Sequence, residues 1–181
     1  MKKKLKIPPD PDFKYKHYKQ IHEGSCGPNG LRYILINKYG LDIPEERLIN
    51  LSNCSQKNGA SVGGVLKVAD TFNLNYRIKH KSSIQDLVDS LMDNNPAMLL
   101  IQAWPGHKVK DWSEINYLGH YIDALHADIK REKIIYYDPF DGKIKDINYE
   151  TLDKKIWHDF DSKNNIFYDH FGIFFGKNNS K

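Results

Sequence analysis

The chain has 181 residues, 40% of them apolar, which is enough for one domain with a core and too few for two large ones. Its 27 basic and 23 acidic residues leave a net charge of only +4, spread over lysine-rich turns, and no zinc-finger, RNP-like or helix-turn-helix pattern accompanies it, so nucleic acid is not an expected partner. No apolar run approaches the roughly 18 residues of a membrane span, and Ile7-Pro8-Pro9-Asp10-Pro11 stands where a signal peptide needs its apolar core. These features predict a cytoplasmic protein with no membrane partner. Its two cysteines are then expected as free thiols.

In chain order, residues 1–13, rich in Lys and Pro, read as a flexible arm, and 14–181 as a single domain. The first helix is predicted over Cys26–Tyr39. Ser25 suits its N-cap, Pro28 its first turn and Gly40 its C-terminal stop, while Leu31, Ile34, Leu35 and Tyr39 make an apolar face. Shorter helices follow at 44–53, 61–72 and 83–92, each opened by a polar residue. Strand-like stretches come afterwards, at 97–103, 121–127, 133–137 and 171–175. Helices first and strands second predict an α+β fold, with the N-terminal helices packed on a C-terminal antiparallel sheet.

The chemistry concentrates in Gln20-Ile-His-Glu-Gly-Ser-Cys26-Gly-Pro28. A cysteine in the first turn of a helix meets unpaired N–H groups and the positive end of the dipole, and both favour the thiolate. Gly24 and Gly27 are expected to leave room for a substrate backbone. Gln20 lies upstream on a segment able to fold back beside the thiol, so its amide is expected to donate to an oxyanion together with the Cys26 N–H.

A thiolate nucleophile needs a base, and the base needs an orienting partner. Gly119-His120-Tyr-Ile-Asp-Ala-Leu-His-Ala-Asp followed by Lys133-Ile-Ile-Tyr-Tyr-Asp138-Pro139 reads as a β-hairpin turning near 129–132. His120, Ile122 and Ala124 share one face of the first strand, and Ile134, Tyr136 and Asp138 one face of the second. His120 and Asp138 then meet at the open end, with the register of the turn left open. His158, in Trp157-His158-Asp159, is an alternative base. Its surroundings match no metal motif, and no metal or other cofactor is expected. Cys54 reads as a packed small residue.

Gln20, the six-residue step to Cys26-Gly-Pro, then Gly-His120-Tyr and Asp138-Pro139 in that order resemble the papain-like cysteine peptidases. The chain is most similar to the branch that processes bacteriocin leaders at double glycines, together with its stand-alone relatives. That resemblance implies a papain-like fold, with Gln20 as oxyanion donor, Cys26 as nucleophile, His120 as base and Asp138 as orienting carboxylate. The Trp157-His158-Asp159 stretch is similar to one in some stand-alone members. Transporter-linked members carry membrane segments and a G-x-x-x-x-G-K-[ST] motif that this sequence lacks, so double-glycine cleavage is not carried over.

The expected activity is peptide-bond hydrolysis, with a peptide or protein as substrate. An amidase, deamidase or transglutaminase-like enzyme would use the same thioester, and a non-catalytic peptide-binding domain would retain the same fold. The loop 104–118 is expected to wall the cleft. The sequence sets no oligomeric state.

Overall fold

The structure is a computed structural model, and it describes residues 18–103 and 109–176, the side chain of Ser113 excepted. The expected arm at 1–13 therefore lies outside the described residues, as does the start of the expected cleft loop, 104–108.

Helix α1 runs over Cys26–Tyr39 with Gly40 closing it at φ 70°, the left-handed conformation that glycine adopts without strain. Helices α2 (Glu45–Ser52), α3 (Val62–Thr71) and α4 (Ile84–Met92) follow. Ser61 caps α3 by accepting from the Gly64 N–H, and Ser83 with Asp86 forms a reciprocal capping box on α4.

The strands are β1 (Tyr76–Lys79), β2 (Ala97–Gln102), β3 (Gly119–Asp128), β4 (Lys133–Asp138), β5 (Lys143–Asn148), β6 (His158–Asp161), β7 (Ile166–Asp169) and β8 (Gly172–Phe175). Six of them form one antiparallel sheet in the order β1-β8-β2-β3-β4-β5, while β6 and β7 pair apart from it. The two edge strands, Tyr-Arg-Ile-Lys and Lys-Ile-Lys-Asp-Ile-Asn, carry charges that keep a sheet edge from pairing with other chains.

Strand β2 shows how the layers form. All six of its residues are buried, and the five apolar ones alternate between two cores. Met98 and Leu100 pack with α1 to α3 through Leu31, Ile34, Leu48 and Val65. Ala97, Leu99 and Ile101 pack on the opposite face with Leu87 and Leu91 of α4 and with Leu152, Ile156 and Trp157. The helices thus lie on both faces of the sheet, the first three on one side and α4 on the other, so the predicted α+β class holds with the sheet in the middle layer. Among the described residues no helix is long and apolar enough to cross a membrane.

Candidate active site

Cys26 opens α1, where its N–H has no acceptor within the helix. The residue is buried, at 7% exposure, against the end of β3. Burial pushes its thiol up. The hydrogen bond and charge of His120, joined by the backbone N–H groups of Tyr121 and Gly27, outweigh that effect, and the net direction is down. The glycines beside it serve the protein itself. A Cβ on Gly24 would run into the backbone carbonyls of Ser55 and Gln56, and one on Gly27 would crowd Val65, Ala60 and Tyr121 at 3.1 to 3.2 Å. The room expected for a substrate is taken by neighbouring chain.

His120 and Asp138 stand together, with Nε2 of the imidazole 2.8 Å from Oδ1 of the carboxylate. Asp138 has no solvent exposure. Its Oδ1 also accepts from the Phe140 N–H at 3.0 Å, and its Oδ2 accepts from the Lys145 ammonium at 2.7 Å. Burial raises the carboxyl, but these partners, His120 first, bring it down to about 2. An ionised Asp138 fixes the proton on Nε2 of His120 and leaves Nδ1 for the thiol. Burial lowers the imidazole, yet Asp138 and Cys26 together lift it to about 9. Cys26 and His120 are therefore each shifted toward their own charged form, thiolate beside imidazolium.

This meeting depends on a β-bulge. The hairpin leaves its turn with Asp128 opposite Lys133, and that register, continued unbroken, would set Asp138 opposite Asp123. Between Ala124 and His126 the register shifts by one, so Asp123 pairs with Tyr137 instead. Asp138 consequently lies in phase with Ile122 and is the diagonal neighbour of His120 on the same face. Ala124 and Ala127, an odd step apart, both reach the same core because the extra residue lies between them.

Gln20 is 8% exposed and tied to the site's other side, its N–H donating to the Pro139 carbonyl at 2.9 Å. Its amide nitrogen donates to the carbonyls of His22 and Glu23, both at 2.9 Å. The expected oxyanion donor is thus turned onto its own loop.

A family model, that of the Peptidase C39 family, matches residues 14–159. The chain belongs to the Peptidase C39 family. Solved structures agree on the fold. The peptidase domain of Streptococcus ComA, a bifunctional ABC transporter involved in quorum sensing, superposes with a TM-score of 0.63 at 21% identity, covering 90% of this chain and 98% of that one. A protein from Bacillus anthracis described as a C39-like peptidase gives 0.66 at 14% identity, covering 91% and 95%. The peptidase domain of Streptococcus mutans ComA gives 0.52 at 20% identity, covering 90% and 100%. No curated protein matches the chain. The resemblance to the bacteriocin-processing branch drawn from the four motif positions agrees with these neighbours.

Within this C39 fold the Trp157-His158-Asp159 stretch is a clamp beside the start of the strand that carries His120. Trp157 is buried and donates through Nε1 to the Phe171 carbonyl at 2.9 Å. His158 holds the Ile115 carbonyl through its ring Nε2 at 3.0 Å, which engages it away from Cys26. Asp159 accepts from the Gln102 amide and presses on Gly119, where a Cβ would come within 2.6 Å of its carboxylate. Gln102 in turn receives the Leu118 N–H at 2.9 Å. The stretch therefore fixes the approach to His120 from the 109–118 side. Among the described residues no group of His, Cys, Asp and Glu is placed to hold a metal ion.

Several participants escape a sequence reading. Lys145 sits on an edge strand that its alternating lysines disguise as loop. The buried polar set of Glu45, Asn29 and Asp123 gives no local signal, since only tertiary packing removes those residues from water. Cys54 proves half-buried, donating to the Gly24 carbonyl at 3.2 Å, and burial followed by the charges of Cys26 and Glu45 pushes its thiol up to about 11.

Proposed function

We propose that the chain is a cysteine peptidase that works by acyl transfer from Cys26, with His120 as base, Asp138 as orienter and Gln20 as an oxyanion donor. The observation that carries this reading is the depressed Cys26 thiol beside an imidazole whose far nitrogen is held 2.8 Å from Asp138. The thiolate attacks the substrate carbonyl carbon, and the C=O electrons move onto oxygen, facing the free N–H of Cys26. Donation from Gln20 as well requires its amide to share one hydrogen now directed at His22 or Glu23. As the tetrahedral species collapses, the C–N bond breaks and His120 delivers its proton to the leaving amine, giving a thioester. His120 then takes a proton from water, the hydroxide attacks the thioester, and the acid departs as the thiolate re-forms. A free thiol of this kind fits the reducing, cytoplasmic setting expected from the sequence.

Two measurements test the proposal. Iodoacetamide should alkylate Cys26 well before Cys54 at neutral pH, because one thiol is lowered and the other raised. Equal labelling of the two would sink the reading. A peptide library analysed by mass should show cleavage. A one-dalton deamidation or a crosslink would move the assignment to another acyl transfer, and peptide binding without product would make this a binding domain. The rate against pH should rise through the lowered value of Cys26 and fall through about 9, as His120 loses the proton it must donate.

A further inference from the structure

The loop that carries Gln20 into the site is held from below by a residue of α2. Glu45 is 1% exposed, so its carboxylate depends on protein donors. Oε1 accepts from the Ile21 N–H at 3.1 Å and from the Ser25 hydroxyl at 2.7 Å, while Oε2 accepts from the Asn29 amide at 2.7 Å. Those donors lie after Gln20, before Cys26 and one turn into α1. Ser25 joins the same knot, lying 2.9 Å from the His22 carbonyl and 3.3 Å from the His22 N–H. The His22 and Glu23 carbonyls are the ones that hold the Gln20 amide. On the far side, Asn29 Oδ1 lies 2.6 Å from the hydroxyl of Tyr137, the residue preceding Asp138.

We propose that Glu45 is a positioning residue for the proposed acyl transfer. Bonded to Ile21, Ser25 and Asn29, it fixes the 20–25 loop on the start of α1 and so sets where the Gln20 amide stands relative to Cys26. It touches no substrate. The contacts that acidify the thiol come from His120, Tyr121 and Gly27 and do not pass through it. Removing the clamp therefore weakens stabilisation of an oxyanion while leaving the thiolate itself in place. The inference rests on Gln20 and Cys26 acting as proposed above.

The test separates two reactions of one thiol. p-Nitrophenyl acetate acylates Cys26 through a tetrahedral oxyanion, whereas iodoacetamide alkylates it by direct displacement with no oxyanion. Both rates are followed for the full chain, for Glu45→Gln and for Glu45→Ala, with Cys54→Ser as the common background and with thermal unfolding as a check on folding. In Glu45→Gln the nitrophenolate burst should slow by about 10- to 100-fold, and alkylation should stay within about twofold of the parent. Glu45→Ala should repeat the split, and Glu45→Asp, which keeps the charge on a shorter arm, should recover part of the burst. A burst unchanged in both folded variants overturns the role of Glu45. A parallel loss of burst and alkylation also overturns it, since Glu45 would then support the whole helix start. The unsubstituted chain, which keeps both cysteines, is run first, and if it shows neither a burst nor preferential alkylation of Cys26 over Cys54 the triad itself is removed, and the role of Glu45 with it. That result is recognisable before any variant is made.

Discussion

Two carboxylates on one hairpin, neither with any solvent exposure, are driven in opposite directions. Asp138 has an imidazole, an ammonium and a backbone N–H around it and is brought down to about 2. Asp123 lies on the other face of the sheet, against Gly30 of α1, and neither of its oxygens has a hydrogen-bond partner among the described residues. Burial holds it well above the usual carboxylate range, with the charge of His120 opposing and that of Cys26 assisting. The residue inserted between Ala124 and His126 is what parts them, since an unbroken ladder would set the two opposite each other. Equal burial thus gives a carboxyl held low on one face and one pushed well up on the other. What differs is the supply of donors.

The largest expected effect comes from removing the charge that has partners. Asp138→Asn leaves His120 without its anion, so acylation of Cys26 should fall by about 10²- to 10⁴-fold, read as the nitrophenolate burst. Retained acylation would show that Asp138 serves stability alone.

The converse change should help the protein. Asp123→Leu removes a buried acid with nothing to bond and should stabilise the domain by about 1–3 kcal/mol in urea unfolding at pH 8. The sign follows from linkage. A carboxyl whose folded pKa is raised contributes its full stability below its ordinary value, and that contribution drains away as pH rises toward the folded value. Asp123→Asn should therefore flatten the decline of stability from pH 4 to pH 8. An unchanged slope would mean that Asp123 finds a partner in solution.

A smaller shift should follow from Lys145→Ala. Lys145 shares Asp138 with His120, at 2.7 Å on the other carboxylate oxygen. Without it the imidazole has the anion to itself, and the alkaline limb of the rate profile should move up from about 9 by roughly half a unit. Movement in the opposite direction would overturn this division of the charge.

These contrasts also mark how far the sequence could be read. The bounds of helix α1 were legible, since its stop is local chemistry, Gly40 at positive φ, and its apolar face is periodic, but Ser25 makes no capping bond and turns its hydroxyl to Glu45 instead. The β3–β4 hairpin was legible from its alternation, and so was the shared face of His120 with Ile122 and of Asp138 with Tyr136. The phase that brings those faces together was not, because a bulge is a single unpaired residue with no composition of its own. Strands β1 and β5 stayed hidden because edge strands wear the lysines of loops. Gly24 and Gly27 were read as space for a ligand, whereas close approach by the 55–56 backbone and by α3 demands them. Glu45 carries no local signal, since an acid in the first turn of a helix is ordinary, favoured there by the dipole. Its burial follows from where α2 docks on the Ile21–Asn29 segment, which no local pattern announces.

The thiol of Cys26 draws its acidity from His120 and Tyr121, residues made long after it. During synthesis α1 emerges first, and until β3 and β4 have paired and docked, Gly27 is the only one of those donors present. A nascent chain therefore carries Cys26 without most of the contacts that lower its thiol. The contacts that lower the thiol are complete only once β3 has docked on α1, so preferential labelling of Cys26 is expected to report that docking.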